Sequence, residues 1–307
     1  MSKDRFYDNT RLSSYKSCPR LYYLRHEMDW ATEGMSPPLI FGLSWHSAMD
    51  RAWEELGGGS DLSDEEVANL AYGAFLDCWT SEGYLDPMDM ATEEAEKLLP
   101  RHPSVALEML YEYVAQRRVF LSNVEVLAIE KPFAVPLNPE DASLFYVGRF
   151  DKVFRHDGGF RASFVDSFSP NSQVDGYLHA AHMEYGDKVR GVWIDAALVH
   201  KTVHDRFQFI PIERQFAQLD SWLWETRQWI AQLEGNQQAA DDYSETDKYL
   251  PAFPKNTNSC MNYAGCPYAI ICKAWPNPMG RNIPSGFEVN PWSPFHVLGL
   301  SEIGLKE

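Results

Sequence analysis

The sequence has no long hydrophobic run, and this absence narrows the class of protein. No stretch of about 18 consecutive apolar residues occurs, so we expect no transmembrane helix. The first residues, Met1–Phe6, lack the apolar core of a secretory signal. We therefore predict a cytoplasmic protein that works in a reducing compartment.

Positive charge is also scarce. Lysine and arginine number 27 against 44 aspartates and glutamates, which gives a formal net charge of −17. A broad, sequence-independent grip on nucleic acid needs a basic surface, so this balance argues against it. A small active site that meets a phosphate through metal ions is still compatible with such a charge.

Cysteine is the third scarce residue, with five in the chain. In a reducing compartment, clustered cysteines are more often metal ligands than disulfides. Cys78 stands alone, and we predict a buried structural thiol there. The other four lie near the two ends of the chain: Cys18, Cys260, Cys266 and Cys272. One upstream and three downstream thiols predict a single four-thiolate site for a soft metal centre, either an iron–sulfur cluster or zinc.

The hydrophobic periodicity changes along the chain and predicts a mixed α/β fold, with a central mixed sheet flanked by helices. The N-terminal third is mostly helical, with one helix over about 10–28 and a capping box at Ser63–Glu66. Four segments follow from this pattern. They are a helical N-terminal lobe carrying Cys18 and His46 (1–120), an α/β core (121–234), an acidic loop with the cysteine cluster (235–275) and an irregular tail (276–307).

Three short motifs accompany the cysteines. They are Gly42-Leu-Ser-Trp-His46 on a predicted helix, Gly148-Arg-Phe-Asp151 on a predicted strand, and Gln173-Val-Asp-Gly-Tyr177 at the start of a helix. In this order, from Leu12 to Cys272, the chain resembles the RecB-like branch of the PD-(D/E)XK nuclease superfamily. It is most similar to the iron–sulfur members of that branch, which include CRISPR-associated exonucleases and many phage-encoded relatives.

The resemblance implies a restriction-endonuclease-like core and metal-dependent DNA cleavage by a hydrolase that works as an exonuclease on single strands or ends. It implies that His46 and Asp151 bind Mg²⁺ or Mn²⁺, and that Gln173 and Tyr177 contact the substrate. A 4Fe–4S cluster would be held by the four thiols of Cys18, Cys260, Cys266 and Cys272. Zinc is the alternative, although structural zinc sites usually show shorter gaps between cysteines.

One defining element of the family does not match. The strand after Asp151 should carry an acid, one residue and then a lysine. In one alignment Asp166 is the acid and Phe168 stands where the lysine belongs; in the other, favoured here, that strand is absent. Lys152 and Lys201 are the candidates for a lysine from elsewhere in the chain, but Lys152 follows Asp151 directly and should point to the opposite face of its strand.

Two functions therefore stay open from the sequence. The first is an iron–sulfur DNA exonuclease, with Asp166 as a weak further catalytic candidate and with reduced activity for want of the lysine. The second is a catalytically silent protein of the same fold that binds DNA or a protein partner. A structural zinc protein of unrelated fold is a third, weaker alternative.

Overall fold

The computed structural model describes residues 4–138, 140–141, 143–156, 171–262 and 265–300. Helices make up about half of this part of the chain, and the strands are short apart from two. The helices are α1 (Asn9–Ser17), α2 (Pro19–Tyr22), α3 (Pro37–Gly57), α4 (Asp64–Ser81), α5 (Thr92–Leu98), α6 (Pro103–Leu121), α7 (Ser172–Tyr185), α8 (Phe216–Ala240), α9 (Ala269–Ala274) and α10 (Pro294–Leu298). The strands are β1 (Arg5–Tyr7), β2 (Trp30–Thr32), β3 (Val124–Pro136), β4 (Leu144–His156), β5 (Val192–Ala197), β6 (Phe207–Ile212) and β7 (Phe287–Val289).

In the described residues the strands form one three-stranded sheet and two separate two-stranded sheets. The larger sheet has the order β1-β4-β3. It is mixed, because β1 runs parallel to β4 while β3 runs antiparallel to it. The mixed α/β class expected from the sequence is therefore confirmed. However, β5 and β6 pair only with each other among the described strands, rather than extending the central sheet.

Three hydrophobic clusters form the core of the described residues, the smallest of them between α7, β6 and α8; the two larger ones contain residues of this sheet or pack against it. One packs α3, α4 and α6 together through large side chains such as Trp53, Phe75 and Tyr113. The other joins the two ends of the chain, with Tyr22 near the N-terminus and Phe253 and Ile271 near the C-terminus. The second cluster places the cysteine-bearing segments in the same region of the molecule.

The helix ends follow local rules that the sequence already shows. Ser63 and Glu66 form the expected capping box at the start of α4. The helix expected over about 10–28 is instead broken at Cys18, whose backbone is extended between α1 and α2. Pro19 takes the first position of α2, where its missing N–H costs nothing, so a new helix begins there.

One sequence expectation for the C-terminal third is wrong. The acidic loop predicted from residue 235 begins later, because α8 continues to Ala240. Its last turns are fixed by side chains, since Asn236 Nδ2 donates to Tyr15 Oη at 2.8 Å and Gln237 Nε2 donates to Glu27 Oε1 at 2.7 Å. The described part of the tail from 276 contains two short elements, the three-residue β7, which pairs with β2, and the five-residue α10.

No helix in the described part of the chain combines the length and the apolar character needed to span a bilayer. Cys78 is only partly buried, on α4, where it packs against the α3–α4–α6 cluster.

Candidate active site and cysteine cavity

A cavity of about 220 Å³ lies where β4, α7 and the start of α1 meet. Its lining contains five residues from two of the sequence motifs, namely Gly148, Arg149, Asp151, Gln173 and Tyr177. The remaining described lining residues are Asp8, Asn9, Thr10, Tyr146, Val147 and Val297. The fold thus brings a strand carboxylate and a helical Gln–Tyr pair to one surface. We call this space the Asp151 cavity.

Gly148 and Gly176 let the cavity walls approach each other. A Cβ on Gly148 would lie 2.4 Å from Cζ of Phe133, which faces Gly148 across the β3–β4 ladder. A Cβ on Gly176 would lie 2.5 Å from the hydroxyl oxygen of Tyr146 on β4. Real Cβ atoms do not approach other atoms so closely, so glycine at both positions allows α7 and β3 to pack tightly on β4.

Helix α7 presents Gln173 and Tyr177 one turn apart. Asn171 caps the helix by accepting hydrogen bonds from the backbone N–H groups of Gln173 and Val174. Gln173 Nε2 donates to Tyr177 Oη at 3.3 Å, which links the two side chains. Burial raises the pKa of the Tyr177 hydroxyl, so the phenol is a neutral hydrogen-bond group in the cavity.

Strand alternation separates Asp151 from Lys152, as expected. Asp151 lines the cavity together with Arg149, two residues earlier on the same face. Lys152 points away, and its Nζ lies 2.7 Å from Oδ1 of Asp50 on α3. Lys201 lies in an exposed bend and is not part of the lining. Among the described lining residues, the cation is therefore Arg149 rather than a lysine.

Glu130 is a carboxylate that the sequence analysis missed. It falls opposite Asp151 on β3, between the paired positions Ile129–Lys152 and Lys131–Phe150. Its φ is +49°, a left-handed backbone conformation that is costly for a residue with a Cβ. Burial raises the pKa of Glu130, and the charges of Asp50 and Asp151 raise it further. Two acids thus face each other beside the cavity.

Arg149 offsets part of this negative charge. Its Nη1 lies 3.3 Å from Oε2 of Glu130, and its Nη2 donates to the backbone oxygen of Val297 at 3.1 Å. The second contact holds α10 against β4, so that Val297 forms part of the cavity wall. No sequence signal linked a C-terminal segment to this site, because the contact is made to backbone atoms.

His46 is not among the described residues that line the Asp151 cavity. His46 lies on α3 with an exposed side chain, although its helix neighbours Met49 and Trp53 are buried as expected. Asp50, one turn later on the same helix, is the α3 residue whose charge reaches Glu130. Asp166 and Phe168 lie outside the described residues.

The four end cysteines line one second cavity of about 260 Å³. We call it the cysteine cavity, and its thiols come from Cys18 between α1 and α2 and from Cys260, Cys266 and Cys272. All four are free and partly buried. More than 240 residues separate the first thiol from the second along the chain, yet they share one space.

Backbone contacts fix the upstream thiol against the downstream segment. The N–H of Asn256 donates to Sγ of Cys18 at 3.2 Å, and Oγ of Ser259 donates to the backbone oxygen of Ser17 at 2.7 Å. Burial raises the pKa of the Cys266 and Cys272 thiols, while the nearby Lys255 amine acts in the opposite direction on Cys272. Thiols held in this way become ligands when a metal centre displaces their protons.

In neither cavity do the described side chains form a complete metal-binding group. Within the described ranges, no group of three or more His, Cys, Asp or Glu side chains is placed to hold a metal ion. The donor chemistry nonetheless differs between the two places. Four thiols suit a soft centre, while the facing carboxylates of Glu130 and Asp151 suit a hard divalent cation.

Comparison with known proteins identifies the superfamily of the chain. The family model of the PD-(D/E)XK nuclease superfamily matches residues 9–273, a span that includes the Asp151 cavity motifs and all four cysteine-cavity thiols. No curated protein matches the chain significantly. Since the family model covers most of its length, this chain belongs to the PD-(D/E)XK nuclease superfamily.

Proposed function

We propose that this protein is a metal-dependent DNA exonuclease of the RecB-like iron–sulfur branch, acting on single strands or strand ends. The observation that carries the proposal is the convergence of Asp151, Gln173 and Tyr177 on one cavity, in a chain of a nuclease superfamily. A cleft with a carboxylate and a few convergent polar groups is what a metal-assisted hydrolase needs.

The candidate residues would have different roles in binding metal and DNA. Asp151 and Glu130 would hold the divalent ion, with Asp166 as a further carboxylate in the chain. That ion activates water and offsets charge on the phosphate in this class of reaction. Arg149 would place a fixed positive charge near the phosphate, and Tyr177 with Gln173 would orient the nucleotide by hydrogen bonds. The role of His46 as a ligand stays a prediction.

The cysteine cavity supports a 4Fe–4S cluster as the second cofactor. Its four thiols match the ligand count and softness of such a cluster, and the gaps of five residues between the last three are longer than those usual for zinc. The cluster would supply structural cross-linking rather than catalysis, because its ligands lie in a different cavity from Asp151.

Two observations favour a second candidate function. Among the described cavity residues no lysine is present, and the net charge of −17 disfavours a long DNA-binding surface. A catalytically silent protein that keeps the fold to bind DNA ends or a protein partner is consistent with both facts.

A nuclease assay with Mn²⁺ or Mg²⁺ separates the two functions. End-labelled single-stranded and duplex DNA are incubated with the wild type, with Asp151→Asn and with Asp77→Asn, a control acid exposed on α4. We expect the wild type and the control to shorten DNA from an end, and Asp151→Asn to lose about 100-fold or more of that activity. No metal-dependent cleavage by the wild type would leave the silent protein as the better account.

A further inference from the structure

Arg20 is a buried charge that joins the two ends of the chain. It lies on α2, two residues after Cys18, and only 3% of it is exposed. Its Nε donates to the backbone oxygen of Phe253 at 2.9 Å, its Nη2 to that of Leu250 at 3.0 Å, and its Nη1 to that of Pro276 at 3.0 Å. Three sides of the guanidinium thus bind main-chain carbonyls from the C-terminal third.

The positions of these carbonyls bracket the cysteine segment. Leu250 and Phe253 precede Cys260, and Pro276 follows Cys272. One side chain therefore holds both ends of the segment that supplies three of the four thiols. The backbone N–H of Arg20 also donates to the oxygen of Pro254 at 3.2 Å, which fixes the helix that follows Cys18 to the same strip of chain.

Arginine is suited to this position for a physical reason. Its planar fork presents donors in fixed directions and its charge is weakly hydrated, so it can be buried where each N–H finds an acceptor. A lysine ammonium is a compact and strongly hydrated point charge, and it cannot reach three carbonyls that lie around a plane. The contacts are all to backbone atoms, so they do not depend on which side chains or metals are present.

We propose that Arg20 assembles the cysteine cavity in the metal-free chain, so that the four thiols are already together before any metal centre binds. The benefit of this role rests on the proposed function, because it requires that a metal centre binds the four thiols. The contacts of Arg20 themselves are made within the polypeptide and need no metal. Bringing distant thiols together costs chain entropy, and a site in which that cost is already met binds its metal more tightly.

The test measures thiol proximity in the metal-free protein. The full chain is stripped of metal under reducing conditions and treated briefly with a short bis-maleimide. The fraction of Cys18 joined to the peptide carrying Cys260–Cys272 is then read by mass spectrometry. Arg20→Lys and Arg20→Gln are compared with the wild type. Arg117→Lys is the matched control. Arg117 is also buried, but it pairs with Asp195 beside the cluster formed by α3, α4 and α6.

We expect both Arg20 variants to cross-link about tenfold more slowly than the wild type, as follows from losing several hydrogen bonds at once. Arg117→Lys should cross-link at the wild-type rate. Wild-type rates in both Arg20 variants would overturn the proposal. If Arg20→Gln does not fold, Arg20→Lys decides. If both are unfolded while Arg117→Lys is folded, the proposal also fails, because Arg20 would then hold the whole fold rather than the cavity.

The readout keeps this inference separate from the proposed cofactor. A wild-type chain that cross-links readily but binds no iron would count against the cluster and leave the role of Arg20 intact. A second outcome is a wild-type chain that binds a cluster but, without metal, cross-links as slowly as the Arg20 variants. That result would contradict the role proposed for Arg20 and support the cluster.

Discussion

Glu130 and Asp151 occupy facing positions on β3 and β4, and the charge of Asp151 helps to raise the pKa of Glu130. After burial, the charges of Asp50 and Asp151 are what raise the pKa of Glu130. Arg149 is the described cation that binds Glu130 on this side of the sheet. A half-buried acid facing an exposed one, with a single arginine bound to the first, forms a place where a divalent ion would relieve repulsion.

Glu130 should therefore contribute to metal use. We expect Glu130→Gln to need a higher Mn²⁺ concentration for half-maximal cleavage, by about 10-fold or more, because the ion loses one of its anionic ligands. The measurement is a titration of nuclease rate against Mn²⁺. Glu125→Gln is the matched control on the same strand, where Glu125 forms an exposed ion pair with Arg155. An unchanged Mn²⁺ requirement in Glu130→Gln would exclude Glu130 from the metal site.

Gly176 should be intolerant of a methyl group. In Gly176→Ala the new Cβ meets the Tyr146 hydroxyl, so either α7 or β4 must move, at a cost of about 1–3 kcal/mol of stability. Gly235→Ala in α8 has open space around its Cβ, and it should gain up to about 1 kcal/mol from helix propensity. Urea unfolding measures the change in the free energy of unfolding in each variant. Equal stability in the two variants would contradict the packing described for α7.

His26 should make the fold acid-sensitive. It lies in a π-helical turn (Tyr23–Glu27), and both of its ring nitrogens are buried without a hydrogen-bond partner in the described residues. Burial, with the charges of Arg11 and Arg25, lowers the pKa of His26 from 6.5 to about 3. Between these values the unfolded chain binds a proton that the folded chain does not, so stability falls as the pH drops below 6.5.

The measurement for His26 is the free energy of unfolding at pH 7 and at pH 5. We expect the wild type to lose at most about 1.4 kcal/mol per pH unit through this group. His26→Phe keeps an aromatic ring against Tyr22 and should lose less stability over the same interval. His200→Gln, at an exposed position, serves as the control. Identical pH dependence in the wild type and His26→Phe would show that His26 binds its proton equally well in the folded and unfolded chain, which contradicts the lowered pKa.

Metal removal should loosen the joined ends of the chain. A cluster held by Cys18 and the downstream trio closes a loop of more than 240 residues, and cross-links of long loops stabilise chiefly by restricting the unfolded chain. We expect the metal-free chain to melt several degrees lower than the loaded chain, in calorimetry under anaerobic reducing conditions. The same melting temperature with and without metal would show that the centre contributes nothing to the fold.

Local rules in the sequence explain which site residues could be predicted. Strand alternation places Asp151 and Lys152 on opposite faces, and helical spacing places Gln173 and Tyr177 together, so these positions followed from the motifs alone. Glu130 could not be found in this way, because its partner depends on the register between β3 and β4, which the sequence does not display.

The same limit applies to contacts made by the backbone. Arg20 and Arg149 bind main-chain carbonyls from distant segments, and every residue has such a carbonyl, so no residue pattern marks the partner. The length of α8 was underestimated for a related reason. Its last turns are fixed by contacts to Tyr15 and Glu27, more than 200 residues away in sequence.

The central claim is that Cys18 and the three downstream cysteines hold one iron–sulfur centre. Its most direct test is the iron and acid-labile sulfide content of anaerobically purified protein, compared between the wild type, Cys18→Ser and Cys78→Ser. The account predicts equal amounts of iron and sulfide in the wild type, the same content in Cys78→Ser, and loss of the centre in Cys18→Ser, since only Cys18 of the two lines the cysteine cavity. Zinc in place of iron, no metal, or full iron content in Cys18→Ser would contradict it.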